Sequence, residues 1–145
     1  MISYLDIKKS ESLTRVVAEV DQHFSRIFKS LLDNVDARLV TPGGKTLAEG
    51  GLEFRVSFSG KWKDSLSELS GGQKSLLALS LVLALALVRS RDKPTPLYIL
   101  DEVDAAMDVR HTSNMGKLFK QHFPKSQFVV VSLKEGMFEN ANVSA

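Results

Sequence analysis

Along the first third of the chain, apolar positions recur at spacings of three and four: Leu13, Val16, Val17, Val20, Phe24, Ile27, Phe28, Leu31 and Leu32. That spacing gathers them on one face of a long amphipathic helix, predicted over residues 1–35. The repeat is nearly heptad, so the segment reads either as the continuation of a coiled coil or as a surface helix lying on the core. Past Asn34 the period changes from helical to alternating. Leu52, Phe54, Val56 and Phe58 alternate with Glu53, Arg55 and Ser57, the mark of a half-buried strand, and Ala37 to Thr41 carries similar residues. Pro42-Gly43-Gly44 and Gly50-Gly51 between the two runs, and Ser59-Gly60-Lys61 after them, mark turns.

Beyond Trp62 the order is loop, helix, strand, helix, strand. Leu66 to Gln73 is a loop entering an apolar helix that ends at Arg89, and a polar link, Ser90 to Thr95, follows. Leu97-Tyr98-Ile99-Leu100 and Phe128-Val129-Val130-Val131 read as buried strands, with a helix over His111 to His122 between them. Continuous apolar strands separated by helices predict an α/β fold with a parallel sheet covered on both faces. Residues 36–145 then form one domain, and the change of texture near 60–65 separates lobes within it. Leu76 to Val88 is apolar except for Ser80, shorter than the roughly 20 residues that cross a bilayer. It predicts a core helix and no membrane partner.

Composition narrows this little. The 145 residues are 43% hydrophobic and 25% charged, as in ordinary globular domains. Cysteine is absent, which removes disulfides and thiolate metal sites and suits a reducing, intracellular compartment. A net charge of +2 does not by itself argue for nucleic acid, and the chain start lacks the plan of a signal peptide. Arg89-Ser90-Arg91-Asp92-Lys93 is a small basic cluster; cations at a helix C-terminus explain it more simply than DNA does. His23, His111 and His122 have no metal-ligand spacing and read as ordinary histidines.

Three short segments point to chemistry. In Leu69-Ser70-Gly71-Gly72-Gln73-Lys74, Ser70 is a natural N-cap and the glycines let a backbone approach an anion at a helix N-terminus. A capped helix after a tight turn explains the same residues. Asp101-Glu102 closes an apolar strand, where ligands of open α/β sheets bind. The first acid suits Mg²⁺ and the second suits a general base toward water, while two solvated acids are the plainer alternative. Val103-Asp104-Ala105-Ala106-Met107-Asp108 allows close backbone contact, with Asp108 either near a partner's phosphate loop or capping a helical turn.

The order of these segments resembles the ABC-type (P-loop NTPase, RecA-like) ATPase heads, through Leu69-Ser70-Gly71-Gly72-Gln73 and Leu100-Asp101-Glu102. The run Tyr98 to Asp108 is similar to the structural maintenance of chromosomes (SMC) family. The stretch Ser126 to Phe138, Gly51-Leu52-Glu53-Phe54 and Trp62-Lys63 resemble its condensin branch. No segment fits the phosphate loop Gly-x-x-x-x-Gly-Lys-Ser/Thr: Gly44-Lys45-Thr46 would need a first glycine where Leu39 stands. Pro42-Gly43-Gly44-Lys45 is instead expected to be a hairpin turn, with no apolar strand feeding a helix there.

The resemblance accounts for that gap. It implies the C-terminal half of an ATPase head whose N-terminal half, with the Walker A loop and the Q-loop, lies across two coiled-coil arms and a hinge. By position, Asp101 would help hold Mg²⁺ and Glu102 would be the general base for one ATP. Leu69, Ser70, Gly71, Gly72 and Gln73 would contact the ATP of a second, type-4-like SMC head, with Ala106 and Asp108 near the seam. A kleisin, the other condensin subunits and DNA are the further implied partners, and the nucleus and chromosome the implied location. Two other readings are a RecF- or Rad50-like repair ATPase and a truncated interaction module that turns over no nucleotide. Many relatives of the ABC type carry a switch histidine after the last core strand; Leu133 stands there, preceded by Ser132, and leucine cannot hydrogen-bond a γ-phosphate.

Overall fold

Ten elements follow in order: α1 (Ile2–Leu31), β1 (Val35–Val40), α2 (Leu47–Gly50), β2 (Glu53–Phe58), β3 (Lys61–Lys63), α3 (Gly71–Ser90), β4 (Leu97–Asp101), α4 (Val109–His122), β5 (Gln127–Val131) and α5 (Glu135–Phe138). The computed structural model describes residues 2–63, 65–91, 93, 95–105 and 107–142. The apolar periodicity of α1 runs along its length, but only the second half is buried, at Val20, Phe24, Ile27, Phe28 and Leu31. Those residues meet α3, β1 and α4, whereas Leu5, Leu13 and Val16 are exposed. Periodicity therefore marked the face, and tertiary contact decided how much of it is covered. Each buried side chain of this size contributes roughly 1.5–3 kcal/mol over leaving it in water.

Asn34 ends the helix with a φ of 55°, a left-handed turn that asparagine tolerates, and β1 begins at once. Two aspartates fasten α1 to β1. Asp21 accepts the amide of Leu39 at 2.7 Å and Arg38 at 3.2 Å, while Asp36 accepts Ser25 Oγ at 3.0 Å and pairs with Lys29 at 3.1 Å.

Strands β1, β2 and β3 form an antiparallel sheet in that order, with Ala37 opposite Val56 and Ser57 opposite Trp62. Pro42-Gly43-Gly44 forms a 3₁₀ turn in the β1–β2 connection, with Gly43 at a φ of 62°, as expected of a hairpin connection. A strand precedes Lys45-Thr46, in keeping with the strand-like residues Ala37 to Thr41, and a helical turn follows, which the sequence pattern did not foresee. That helix has only four residues, and Glu49 accepts both the amide and the hydroxyl of Thr46, so a carboxylate lies where a phosphate loop would put an anion.

The second lobe is a two-stranded parallel sheet, Leu97↔Gln127 through Asp101↔Val131. On one face Tyr98, Leu100, Phe128 and Val130 pack against the core, where Phe119 stacks on Phe128 at 4.4 Å and Phe123 meets Tyr98 edge-on at 5.5 Å. The opposite face is bare: Leu97, Ile99, Val129 and Val131 are exposed, Ile99 to 70%. The expected cover on both faces is thus present on one only. The strands are apolar on both sides because both sides suit burial, but this chain supplies one layer.

Helix α3 is 20 residues, longer than the uninterrupted apolar run inside it, and by length and composition alone it would pass for a membrane span. Its contacts decide otherwise. Leu76, Leu77, Leu79, Leu83 and Ala84 are buried, and the helix packs along α1. Val82 and Leu85 are exposed. Arg91, just past its end, pairs with Glu19 of α1 at 2.7 Å, so the basic cluster serves at least in part to tie two helices together.

Candidate functional site

The parallel register ends at Asp101↔Val131, and the next amide, that of Glu102, donates to the Val131 carbonyl at 2.9 Å. Glu102 takes a φ of 47°, a left-handed conformation that costs a residue with a Cβ about 1–2 kcal/mol. That turn breaks the alternation of the strand, and Asp101 and Glu102 are both exposed although adjacent. Backbone strain at an acid on a strand end points toward function. Among the described residues neither carboxylate has an ion-pair or hydrogen-bond partner, which leaves both open to a ligand.

The following loop is held from the segment just past the other strand. Asp104 is 1% exposed and accepts Ser132 Oγ at 2.5 Å; the same Ser132 oxygen accepts the amide of Lys134 at 3.0 Å. Lys134 Nζ donates to the carbonyls of Ala105, at 3.0 Å, and Met107. Asp108 then caps α4: its Oδ1 accepts the His111 amide at 3.0 Å and lies 3.1 Å from His111 Nδ1. The hydrogen bond from that amide holds the Asp108 carboxyl below its ordinary value, aided by the charges of His111 and Arg110. Ala106 lies outside the described residues.

At the other segment, Ser70 and Gln73 form a capping box: Ser70 Oγ accepts the Gln73 amide at 3.2 Å and Gln73 Oε1 accepts the Ser70 amide at 3.0 Å. Gly71 and Gly72 are the first two residues of α3, where amides lack intrahelical acceptors. A Cβ on Gly71 would meet nothing within 4 Å, and its φ is ordinary. The fold itself does not require glycine there, so the bare backbone is available to something outside. Leu69 points the other way, 4% exposed in the core, and anchors the segment.

A cleft of about 380 Å³ runs between α3 and the end of β4, lined by Ser75, Ala78, Leu79, Val82, Leu100, Glu102, Val103 and Ala105. None of Leu69, Ser70, Gly71, Gly72 and Gln73 lines it, so Glu102 and the capping segment do not share one pocket. For Mg²⁺ the donors fit in kind. One or two carboxylates with phosphates and waters are the usual set, and Asp101 offers an exposed carboxylate of that sort. Among the described residues no group of three His, Cys, Asp or Glu is close enough to hold a metal by itself, so any cation here needs oxygens from elsewhere.

The sequence singled out Ser70, Gly71, Gly72, Gln73, Asp101, Glu102 and Asp108, and each lies at an element end as its pattern predicts. Missed were the roles of Asp104 and Lys134, quoted only within longer runs, and of Ser132, named only as the residue before Leu133. The available signal was weak: polar residues immediately after an apolar strand. Leu133, between two of them, is 91% exposed.

The model for the RecF/RecN/SMC N-terminal domain matches residues 5–145. The chain belongs to that family. It is 57% identical over 143 residues, 99% of its length, to structural maintenance of chromosomes protein 2-2 of Arabidopsis thaliana, of which it covers 12%. To the human structural maintenance of chromosomes protein 2 it is 52% identical over 142 residues, 98% of this chain and 11% of that one. Among solved structures, the Smc head domain with an extended coiled coil, bound to the C-terminal domain of ScpA and derived from Pyrococcus furiosus, superposes with a TM-score of 0.82 at 32% identity. That match covers 97% of this chain and 34% of that one. The chain therefore fits a type-2 SMC head segment with the ABC-type ATPase fold, and spans about an eighth of the length of its curated relatives.

Proposed function

We propose that the chain is the C-terminal half of the ATP-binding and ATP-hydrolysing head of a condensin-type SMC protein, acting in chromosome organisation. The observation that carries this is the bare apolar face beside the two open acids. Leu97, Ile99, Val129 and Val131 expose one apolar face of the sheet that a finished domain would cover, and Val82 and Leu85 of α3 are exposed as well. A two-stranded sheet is also too small to stand alone and leaves its edges open. The occupant that fits is an N-terminal half of the same protein, bringing a phosphate loop and a Q-loop and extending the sheet.

In that assembly Mg²⁺ and ATP supply the phosphoanhydride to be cleaved and the cation that offsets its charge. Asp101 would hold the cation, and Glu102 would orient the attacking water and take its proton. Ser70, Gly71, Gly72 and Gln73 serve a different nucleotide, held by a second, type-4-like head; the separation of that segment from the Glu102 cleft supports this division. Asp108 would face the seam, Ala106 is assigned there by its place in the sequence alone, and Leu69 contributes by anchoring. A histidine-assisted step has no residue to perform it at Leu133. The ScpA domain bound to the Pyrococcus furiosus head supports a kleisin as a further partner. The likeness to the protein 2 relatives supports adding DNA, the remaining condensin subunits and a place on chromosomes in the nucleus to this proposal.

The test mixes this chain with a separately made N-terminal half and the complementary head. ATP turnover only in the full mixture is expected. Assembly without turnover would instead make the chain an interaction module. Glu102→Gln in the assembly should retain ATP binding and keep heads engaged while turnover drops by roughly 10²-fold or more.

A further inference from the structure

The loop that carries Glu102 and Asp108 is held at three places by the end of β5 and the segment that follows it. The Glu102 amide donates to Val131, Ser132 Oγ donates to the buried Asp104 carboxylate, and Lys134 Nζ donates to two carbonyls, those of Ala105 and Met107. The amide of Lys134 donates in turn to Ser132 Oγ at 3.0 Å, so the second and third attachments share a hydrogen bond. The segment cannot easily shift as a block, because α5 follows at once with Gly136 pressed against α4. A Cβ there would lie 2.5 Å from Thr112 Oγ1 and 2.9 Å from the Val109 carbonyl.

We infer that Lys134, with Ser132, is a positioning residue for ATP hydrolysis, fixing the backbone between the general base Glu102 and the seam residue Asp108. The Lys134 ammonium donates to these two carbonyls rather than to an acid. Among the described residues it has no carboxylate partner, and the residue is half-buried. Hydrogen bonds from a charged donor are stronger than neutral ones, so one ammonium donating to the carbonyls of both Ala105 and Met107 ties these two residues to the segment after β5. Because Glu102 already occupies a left-handed conformation, its carboxylate direction depends on its neighbours being held, and a small drift there carries a large kinetic cost. Leu133 lies between the two anchors at 91% exposure, so the position that elsewhere bears a switch histidine is here the apex of a bracket.

This inference rests on the proposed role of Glu102, and the experiment separates the two. Lys134→Met, Lys134→Arg and Glu102→Gln are made in the full-length chain assembled with its complementary head. ATP turnover, the KM for ATP and ATP-dependent head engagement are then measured. Lys134→Met should lower kcat on the order of tenfold to a hundredfold with KM and engagement within about twofold of the parent. Lys134→Arg, which keeps the donors, should recover most of that loss. Unchanged kcat in Lys134→Met overturns the inference, and so does an equal loss in the Arg and Met variants or a loss matched by reduced engagement and melting temperature. Normal turnover in Glu102→Gln overturns the general-base reading instead, whatever Lys134 does.

Discussion

The amide of Glu102 reaches the carbonyl of Val131 at 2.9 Å, one residue beyond the last paired rung of β4 and β5. This bond fixes where the strand stops being a strand. It brings Glu102 to a φ of 47° and turns its side chain out of the alternation that β4 would have imposed. The acid is therefore aimed by the neighbouring strand, and several consequences can be measured.

Glu102→Gly should relieve a strained backbone, whereas Glu102→Val should worsen it. In denaturant unfolding of the assembled head, the valine variant is expected to be less stable than the glycine variant by about 1–2 kcal/mol. Equal midpoints would mean the left-handed turn carries no strain.

Gly136 and Gly71 should respond in opposite ways to the same change. Gly136→Ala places a methyl 2.9 Å from the Val109 carbonyl and should cost about 1–3 kcal/mol. Gly71→Ala meets open space and should leave stability unchanged or raised by up to about 1 kcal/mol. If Gly71 also presents backbone to a second head, its alanine variant melts normally yet engages poorly, and native gels with ATP read that directly.

Ser70→Ala removes half of a capping box and should cost about 1 kcal/mol through α3. Ser70→Arg should lose a similar amount of stability but additionally block ATP-dependent head engagement, with ATP binding retained. Comparing both variants by thermal melting and by crosslinking of heads separates capping from contact.

His23 and His122 give the chain a built-in acid sensitivity. Burial lowers the pKa of His23, reinforced by Arg26, His122 and Arg91 against the opposing Glu19; burial and then Arg26 lower that of His122. Their folded values lie below the ordinary value of 6.5, so the unfolded chain binds protons first as pH falls. The stability they contribute is complete above about pH 6.5 and is lost as pH drops through the lowered values. Melting temperature should decline on acidification from there, and His23→Phe with His122→Gln should flatten the decline.

Ile99→Lys tests the bare face. At 70% exposure this residue can take a charge with little harm to the isolated chain, and solubility should improve. Assembly with an N-terminal half should fail, because the lysine would be buried without a partner. Pull-down of the two halves checks both parts.

Much here was local and so legible in the chain. The helical period of residues 13–32, the alternation over 52–58, the turns at Pro42-Gly43-Gly44 and Ser59-Gly60, the cap at Ser70 and the acid pair closing β4 each depend on neighbours a few positions away. Backbone sterics and short-range hydrogen bonds suffice to specify them. What the tertiary structure decided joins distant residues: Asp104 to Ser132 across 28 positions, and Ala105 to Lys134 across 29. The burial of Leu69, the covering of only half of α1, and the bare side of β4 and β5 belong to the same class. Apolar residues state that a surface should be covered, and only packing shows which surface this chain covers itself.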